Sequence, residues 1–321
     1  MCAGGEETMS TAPVIAAVDG SEGSLRALEW AVTAARTRGA PLCVVHVWQR
    51  MVLGRPEVTA VMPPDFVDDP VLDDVRARLR DRTGPPAVEY SRMAGAPEVL
   101  LPELGATAQL LVAGSRGRGG FAGLILGSSS MAAARDADCP VVVVPPSGRE
   151  VHDSVPLAPG PRVVVGLHAD NPDAASLAFA FAEADRRDAR VQVVVAYPWP
   201  LGAWAVPGDF PPPVIDPDAV ARETRSLAED RTAALRDRFP RVDVEFTVLA
   251  GDAAGHLVAA SKDAELVVVG RHRRRITAPA RMIGSVTHAV LLHAASPVAV
   301  VPPEQHQEEQ EHEQEHGQEH D

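Results

Sequence analysis

Between Gly114 and Ser129 the chain reads Gly-Ser-Arg-Gly-Arg-Gly-Gly-Phe-Ala-Gly-Leu-Ile-Leu-Gly-Ser-Ser. The stretch follows the apolar run Gln109–Ala113 and leads into the helical pattern Ser130-Met-Ala-Ala-Ala-Arg. A glycine-rich turn between a strand and a helix can wrap a phosphate. Glycine reaches positive φ without a Cβ penalty, and the amides at a helix start supply donors and positive potential. The candidate phosphate-binding residues are Gly114, Gly117, Gly127, Ser128 and Ser129, the serine hydroxyls adding donors of their own.

Two better-known phosphate patterns do not hold. Gly117-Arg-Gly-Gly-Phe-Ala122 fits the loose dinucleotide fingerprint, which needs the first strand of a βαβ unit and an acidic residue about 20 positions on. Here the preceding strand is the fourth of its half, and the next apolar run, Val141–Val144, ends in two prolines. A Walker loop needs a lysine inside the glycine turn. The single lysine of this chain is Lys262.

The elements that must position the loop alternate between strand and helix. Pro13–Val18 is an apolar run of strand length, and Ser21–Arg38 carries Leu25, Leu28, Ala31, Val32 and Ala35 at helical spacing. Strand Leu42–Val47 follows, then a Pro- and Asp-rich segment from Arg50 to Pro70 and a charged helix Val71–Arg82. Strand Ala87–Arg92, helix Pro97–Ala106, strand Gln109–Ala113, helix Ser128–Ala137 and strand Val141–Val144 complete the half. Strands apolar on both faces that alternate with helices imply a parallel sheet covered on both sides, with its ligand crevice at the carboxyl ends of the strands.

The order then repeats. Gly95 and Gly114 pair with Gly251 and Gly270, Gly127-Ser128 with Gly284-Ser285, and Cys139-Pro140 with Ser296-Pro297. At the start, Ala17 to Ser21 lines up with Gly166 to Asp170. The boundaries expected are a first domain over 12–146, a linker over 147–160 and a second domain over 161–303. Residues 304–321 hold eight acidic residues and no Lys or Arg, a composition expected to be disordered.

The glycine spacing, the repeat and the strand–helix order together resemble a tandem universal stress protein of the ATP-binding class. The resemblance implies two tandem doubly wound five-stranded parallel sheets of the Rossmann-like, adenine nucleotide α-hydrolase-like type. It implies ATP as the ligand, with or without Mg²⁺. Asp19 matches the aspartate that meets the nucleotide near the ribose, Val47 the residue whose backbone meets the adenine, and Gly114, Gly117, Gly127, Ser128 and Ser129 the phosphate loop. Asp19 and Ser128 also suit helix caps, and His46 suits a hydrogen-bonded core histidine. The family's habit of pairing last strands implies that Val141–Val144 and Val298–Val301 form an intramolecular pseudo-dimer, and leaves a homodimer open.

The second half keeps the pattern and loses residues of the site. His168 stands at the place of Asp19, Arg273 at that of Gly117, and the stretch from Gly270 to Gly284 is one residue longer than that from Gly114 to Gly127. A side chain forced to positive φ costs about 1–2 kcal/mol, and a lost hydrogen bond to a carboxylate about 1.5–3 kcal/mol. One nucleotide site per chain, in the first half, is the expectation. Five arginines (Arg271, Arg273, Arg274, Arg275 and Arg281) crowd the second loop and read as a solvated basic surface.

Composition bounds the remainder. The net charge of −14 argues against general nucleic-acid binding. No apolar run approaches the length of a membrane span, and the acidic first residues do not form a secretion signal. Cys2, Cys43 and Cys139 lack metal spacing and read as reduced thiols of a cytoplasmic protein. No metal site is expected, and the tail histidines lack a fixed geometry. The function expected is a nucleotide-dependent stress-response regulator or binding module that meets a protein partner, and not an enzyme. A slow ATP hydrolase lacks a water-orienting group inside the loop. A nucleotide-free scaffold leaves the intact loop unexplained.

Overall fold

The computed structural model of the chain describes residues 12–48, 68–80, 82, 84, 86–117, 126–151, 160–197, 216–271 and 283–303. Outside these lie residues 1–11, the Pro-rich segments 50–67 and 199–215, the centre of the glycine loop (118–125), most of the arginine loop (272–282) and the acidic tail. The described residues hold ten strands and eight α-helices. The chain divides into two compact units, residues 1–133 with 137–141 and residues 134–136 with 142–321.

In the first half the elements are β1 (Val14–Val18), α1 (Glu22–Arg38), β2 (Leu42–Trp48), α2 (Pro70–Arg80), β3 (Val88–Ala94), α3 (Pro97–Leu104), β4 (Leu110–Gly114), α4 (Ser128–Asp136) and β5 (Val141–Val144). Strand β1 pairs in parallel with β2 on one side and β4 on the other, and β2 pairs with β3. The order β3-β2-β1-β4 means that the chain builds outward from β1 and then crosses back to its other flank. The crevice of a doubly wound sheet opens at such a switch point. Asp19 and Gly114 stand on either side of it.

The second half contains β6 (Arg162–Leu167), α5 (Ala174–Arg187), β7 (Arg190–Tyr197), α6 (Pro217–Arg238), β8 (Val244–Ala250), α7 (Ala253–Ala260), β9 (Leu266–Gly270), α8 (Ser285–His293) and β10 (Val298–Val301). Its strands are parallel in the order β10-β9-β6-β7-β8, the same winding with the switch between β6 and β9.

Valine and leucine runs form these strands because both faces are covered by helices. All five residues of β4 are buried, and Val163, Val164, Val165, Val267 and Val268 have no exposed surface. Helix α1 starts at Ser21, whose side chain accepts from the Ser24 amide, and carries Glu22 in its first turn and Arg36 and Arg38 in its last, matching the helix dipole. Its buried face contains Ala27, Leu28, Ala31, Val32 and Ala35. Strand β3 runs to Ala94, two residues beyond the expected Arg92, because its pairing with β2 continues to Trp48.

Phe181 of α5 is fully buried, its ring centroid 6.2 Å from that of Phe239. Phe181→Ala should destabilise the second half by about 3–5 kcal/mol. Denaturant unfolding followed by circular dichroism would show this as a transition displaced to lower denaturant.

Candidate functional site

The end of β1 sets the geometry. Asp19 follows the strand, Gly20 turns the chain at φ 77°, and Ser21 begins α1. The Asp19 Oδ1 accepts from the Ser21 amide at 3.0 Å and from its hydroxyl at 2.6 Å, and the Asp19 amide donates to Ser24 Oγ at 3.3 Å. Asp19 is therefore not the helix cap. Ser21 caps the helix, and Asp19 holds Ser21. The other carboxylate oxygen, Oδ2, lies against the α-carbon of Gly117, where any Cβ would run into it.

The reason for glycine differs from the expectation. Gly114, Gly117 and Gly127 are not in the positive-φ region, and the turn that needs it is at Gly20. Glycine is required at 114 and 117 by close approach. A Cβ on Gly114 would come within 2.6 Å of the Gly23 carbonyl carbon, and one on Gly23 within 2.7 Å of the Arg116 oxygen. At Gly127 a Cβ would have ordinary contact at 3.6 Å from the Ser115 oxygen, so space does not demand glycine there.

Gly127, and not Ser128, is the N-cap of α4. Its amide donates to the Ser115 carbonyl at 2.8 Å, which returns the chain to the end of β4 after the loop. With no cap side chain, the first-turn amides of α4 have no intrahelical acceptor. Ser128 is exposed and Ser129 half-buried, at the mouth of the loop. Ser130, which the sequence pattern did not single out, is buried and donates its hydroxyl to the Gly114 carbonyl at 2.6 Å.

Val47 lies near the carboxyl end of β2, one step past the last β1–β2 pair, Val18 with His46. The Leu42 amide bonds to Ala87, and the Trp48 carbonyl accepts from Gly95, so the even residues of β2 address the β3 side. By alternation the peptide groups of Val47 address the β1 side. Its carbonyl lies beyond the last β1–β2 pair, at the strand end where a doubly wound sheet opens its crevice.

His46 is buried, and its Nδ1 approaches Asp69 Oδ2 at 2.7 Å. Asp69 Oδ2 also accepts from Trp48 Nε1 at 3.0 Å, and its Oδ1 accepts the Val71 and Leu72 amides at 3.0 and 3.1 Å. Burial pushes the Asp69 carboxyl up, but the bonds from His46, Trp48 and Leu72 outweigh it and hold the group below the ordinary aspartate value. Asp69 is thus ionised, and His46 donates from Nδ1. This cluster escaped sequence reasoning because its members are separated by the long segment between β2 and α2.

In the second half the link between strand and helix is longer. Asp19 and Gly20 separate Val18 from the cap Ser21, while His168 to Pro172 separate Leu167 from the cap Asp173. His168 is exposed, its Nδ1 accepting the Asn171 amide at 3.3 Å. A carboxylate nevertheless returns. Asp173 Oδ2 takes the Ser176 hydroxyl at 2.8 Å and lies against the α-carbon of Gly270. The expectation that the half lacks a carboxylate is corrected here, since the longer link supplies one from the cap. It borders a cleft of about 270 Å³ lined by Leu167, His168, Ala196, Leu257 and Arg271 among others.

The tandem arrangement and the fold are found in known proteins. The profile described as the universal stress protein family matches residues 11–145 and 161–302. The chain belongs to the universal stress protein family. A universal stress protein of Mycobacterium tuberculosis (strain H37Rv) is 30% identical over 308 residues, covering 91% of this chain and 96% of that one. Another, from Mycobacterium bovis, is 32% identical over 301 residues, covering 89% and 96%. The fold matches the solved universal stress protein of Archaeoglobus fulgidus with a TM-score of 0.58 at 17% identity, covering 92% of this chain and 97% of that one. A protein of Pseudomonas aeruginosa described as functionally unknown matches with a TM-score of 0.60 at 16% identity, covering 92% and 93%. This universal stress protein has, among its described residues, no helix long and apolar enough to cross a membrane.

Two outcomes test the geometry. Gly114→Ala should lower stability by about 1–3 kcal/mol through backbone overlap, while Gly127→Ala, which meets no overlap and only weakens the cap, should cost no more than about 1 kcal/mol, both read by thermal unfolding. The folded Asp69 carboxyl lies below its unfolded value, near ~3.9 for an ordinary aspartate. Its contribution is complete above that value and lost as pH falls through the folded one. Asp69→Asn should flatten the acid side of a plot of melting temperature against pH.

Proposed function

We propose that the first half binds ATP at the β1–β4 switch point and that the protein works as a nucleotide-dependent binding module in the stress response. The observation that carries this is the contact of the Asp19 carboxylate with the bare α-carbon of Gly117, next to the start of α4. A carboxylate suited to a ribose hydroxyl and a helix start suited to phosphate lie at the ends of neighbouring strands there.

The residues divide the work by their chemistry. Asp19, fixed through Oδ1 by Ser21, is the carboxylate acceptor for a ribose hydroxyl. The Val47 carbonyl accepts from the amino group of adenine. The Ser128 and Ser129 amides and hydroxyls, with the loop that starts at Gly117, meet phosphate oxygens. The bound nucleotide supplies negative charge and, with it, any Mg²⁺. No residue of the chain is assigned to the metal. The contacts described bind and orient, and none of them places a base against an attacking water, so the proposed role is occupancy and not turnover.

Isothermal titration of ATP with Mg²⁺ into the full chain should give a stoichiometry near one. Gly117→Arg, which drives a side chain into Asp19, should abolish it, and Asp19→Ala should weaken it about tenfold or more. No binding by the native chain would leave a nucleotide-free scaffold. Release of phosphate at a steady rate would make it a hydrolase. Two sites would mean that Asp173 and the arginine loop bind a nucleotide by another route.

A further inference from the structure

We propose that Asp69 is a positioning residue for recognition of the base, acting through the peptide edge of Val47. The inference rests on the nucleotide reading above and adds to it the group that selects adenine. Asp69 bonds to the residue on each side of Val47: His46 Nδ1 at 2.7 Å and Trp48 Nε1 at 3.0 Å reach the same oxygen, Oδ2. Side chains two apart on a strand share one face, so a single carboxylate pins both neighbours of Val47 from one side of the sheet. The peptide groups between them cannot rotate independently. The carboxylate is itself fixed, because Oδ1 accepts the first-turn amides of α2.

The direction of the Val47 carbonyl matters chemically. A carbonyl accepts from the amino group of adenine and opposes the oxo group that guanine carries at the corresponding position. A site built around one acceptor rejects the base that cannot donate to it. Rigid placement sharpens that choice, whereas a strand end free to rock would meet either base through water.

The second half gives an internal control. Val195 pairs with Leu167 as His46 pairs with Val18, so Val195, Ala196 and Tyr197 occupy the places of His46, Val47 and Trp48. Asp216 precedes Pro217 as Asp69 precedes Pro70, but it is exposed and reaches the Asp218 amide at 3.0 Å and Arg222 at 3.6 Å. Val195 has no polar group to offer it. The clamp occurs in the half that retains Asp19 and Gly117.

Asp69→Asn separates the two duties of the residue. Asparagine keeps the size and remains a good cap for α2, yet its amide nitrogen meets the Trp48 N–H, donor against donor. Titrations of ATP and GTP into the full chain read the effect as a ratio. In Asp69→Asn the affinity for ATP should fall about tenfold with that for GTP unchanged. Trp48→Phe, which removes one bond and leaves the cap, should lower the ATP-to-GTP ratio by about threefold. His46→Asn, which restores a donor near Nδ1, should keep it within about twofold of native. Equal losses for both nucleotides, or an unchanged ratio in Asp69→Asn and Trp48→Phe, would overturn the positioning role while leaving ATP binding standing. A native chain that binds ATP without preferring it to GTP would overturn the role as well. A native chain that binds neither would remove the reading on which it rests.

Discussion

The first half depends on one contact, the approach of the first turn of α1 to the end of β4 with no side chain between them. Gly23 and Gly114 meet backbone to backbone, and Gly23 also meets the Arg116 carbonyl. This closeness brings the strand end that carries Asp19 to the strand end that carries Gly117. It also puts the positive end of α1 beside the Asp19 carboxylate, a favourable place for a negative charge. The Ser130 hydroxyl then ties α4 to the same Gly114. Three elements converge on one glycine, at the switch point where a doubly wound sheet opens its crevice.

The two halves show how much of this belongs to the fold and how much to the site. Their strand frames match, held by valines with no exposed surface, and Thr287 repeats the bond of Ser130 by donating to Gly270 at 2.8 Å. The link after the first strand does not match. Ala169 takes the place of Gly20 in the tandem alignment, and the chain travels further before it enters α5. The carboxylate that results caps a helix through Ser176 and occupies space at Gly270, where the first half has the bare backbone of Gly23. A buried frame tolerates such a change because its stability comes from strand and helix faces and not from the loops at their ends.

The same distinction decides what could be read from the sequence. Strands buried on both faces, helices at a 3.6 period and a second copy of both are local patterns, and they gave the order and number of elements. The positions of Asp19, Val47 and the loop glycines at strand ends followed. What local pattern could not carry was the purpose of each glycine. Gly117 was expected to serve handedness and serves proximity, because the carboxylate that crowds it lies far away in the chain. Gly23 and Ser130 were passed over for the same reason, as an ordinary helix glycine and an ordinary helix serine. Asp173 was missed because the alignment followed the strand end and the link after it had lengthened. Asp69 lay at the far end of a proline-rich segment, where nothing local suggested that it faces His46.

The His46–Asp69 pair then raises a question of energy. Burying a carboxylate is costly unless its oxygens are filled, and a buried polar pair is weak evidence for stability, since apolar residues often serve as well. Here the molecule supplies its own comparison. Val195, at the place of His46, is fully buried and bonds to nothing with its side chain, and the second sheet is paired through that position without interruption. The frame therefore does not need the charge. What the pair has that valine lacks is direction: two donors from one strand converge on one oxygen, and the other oxygen is anchored to a helix start. Orientation is retained on the strand whose edge faces the crevice that keeps Asp19 and Gly117, and packing alone suffices on the strand whose crevice has lost them.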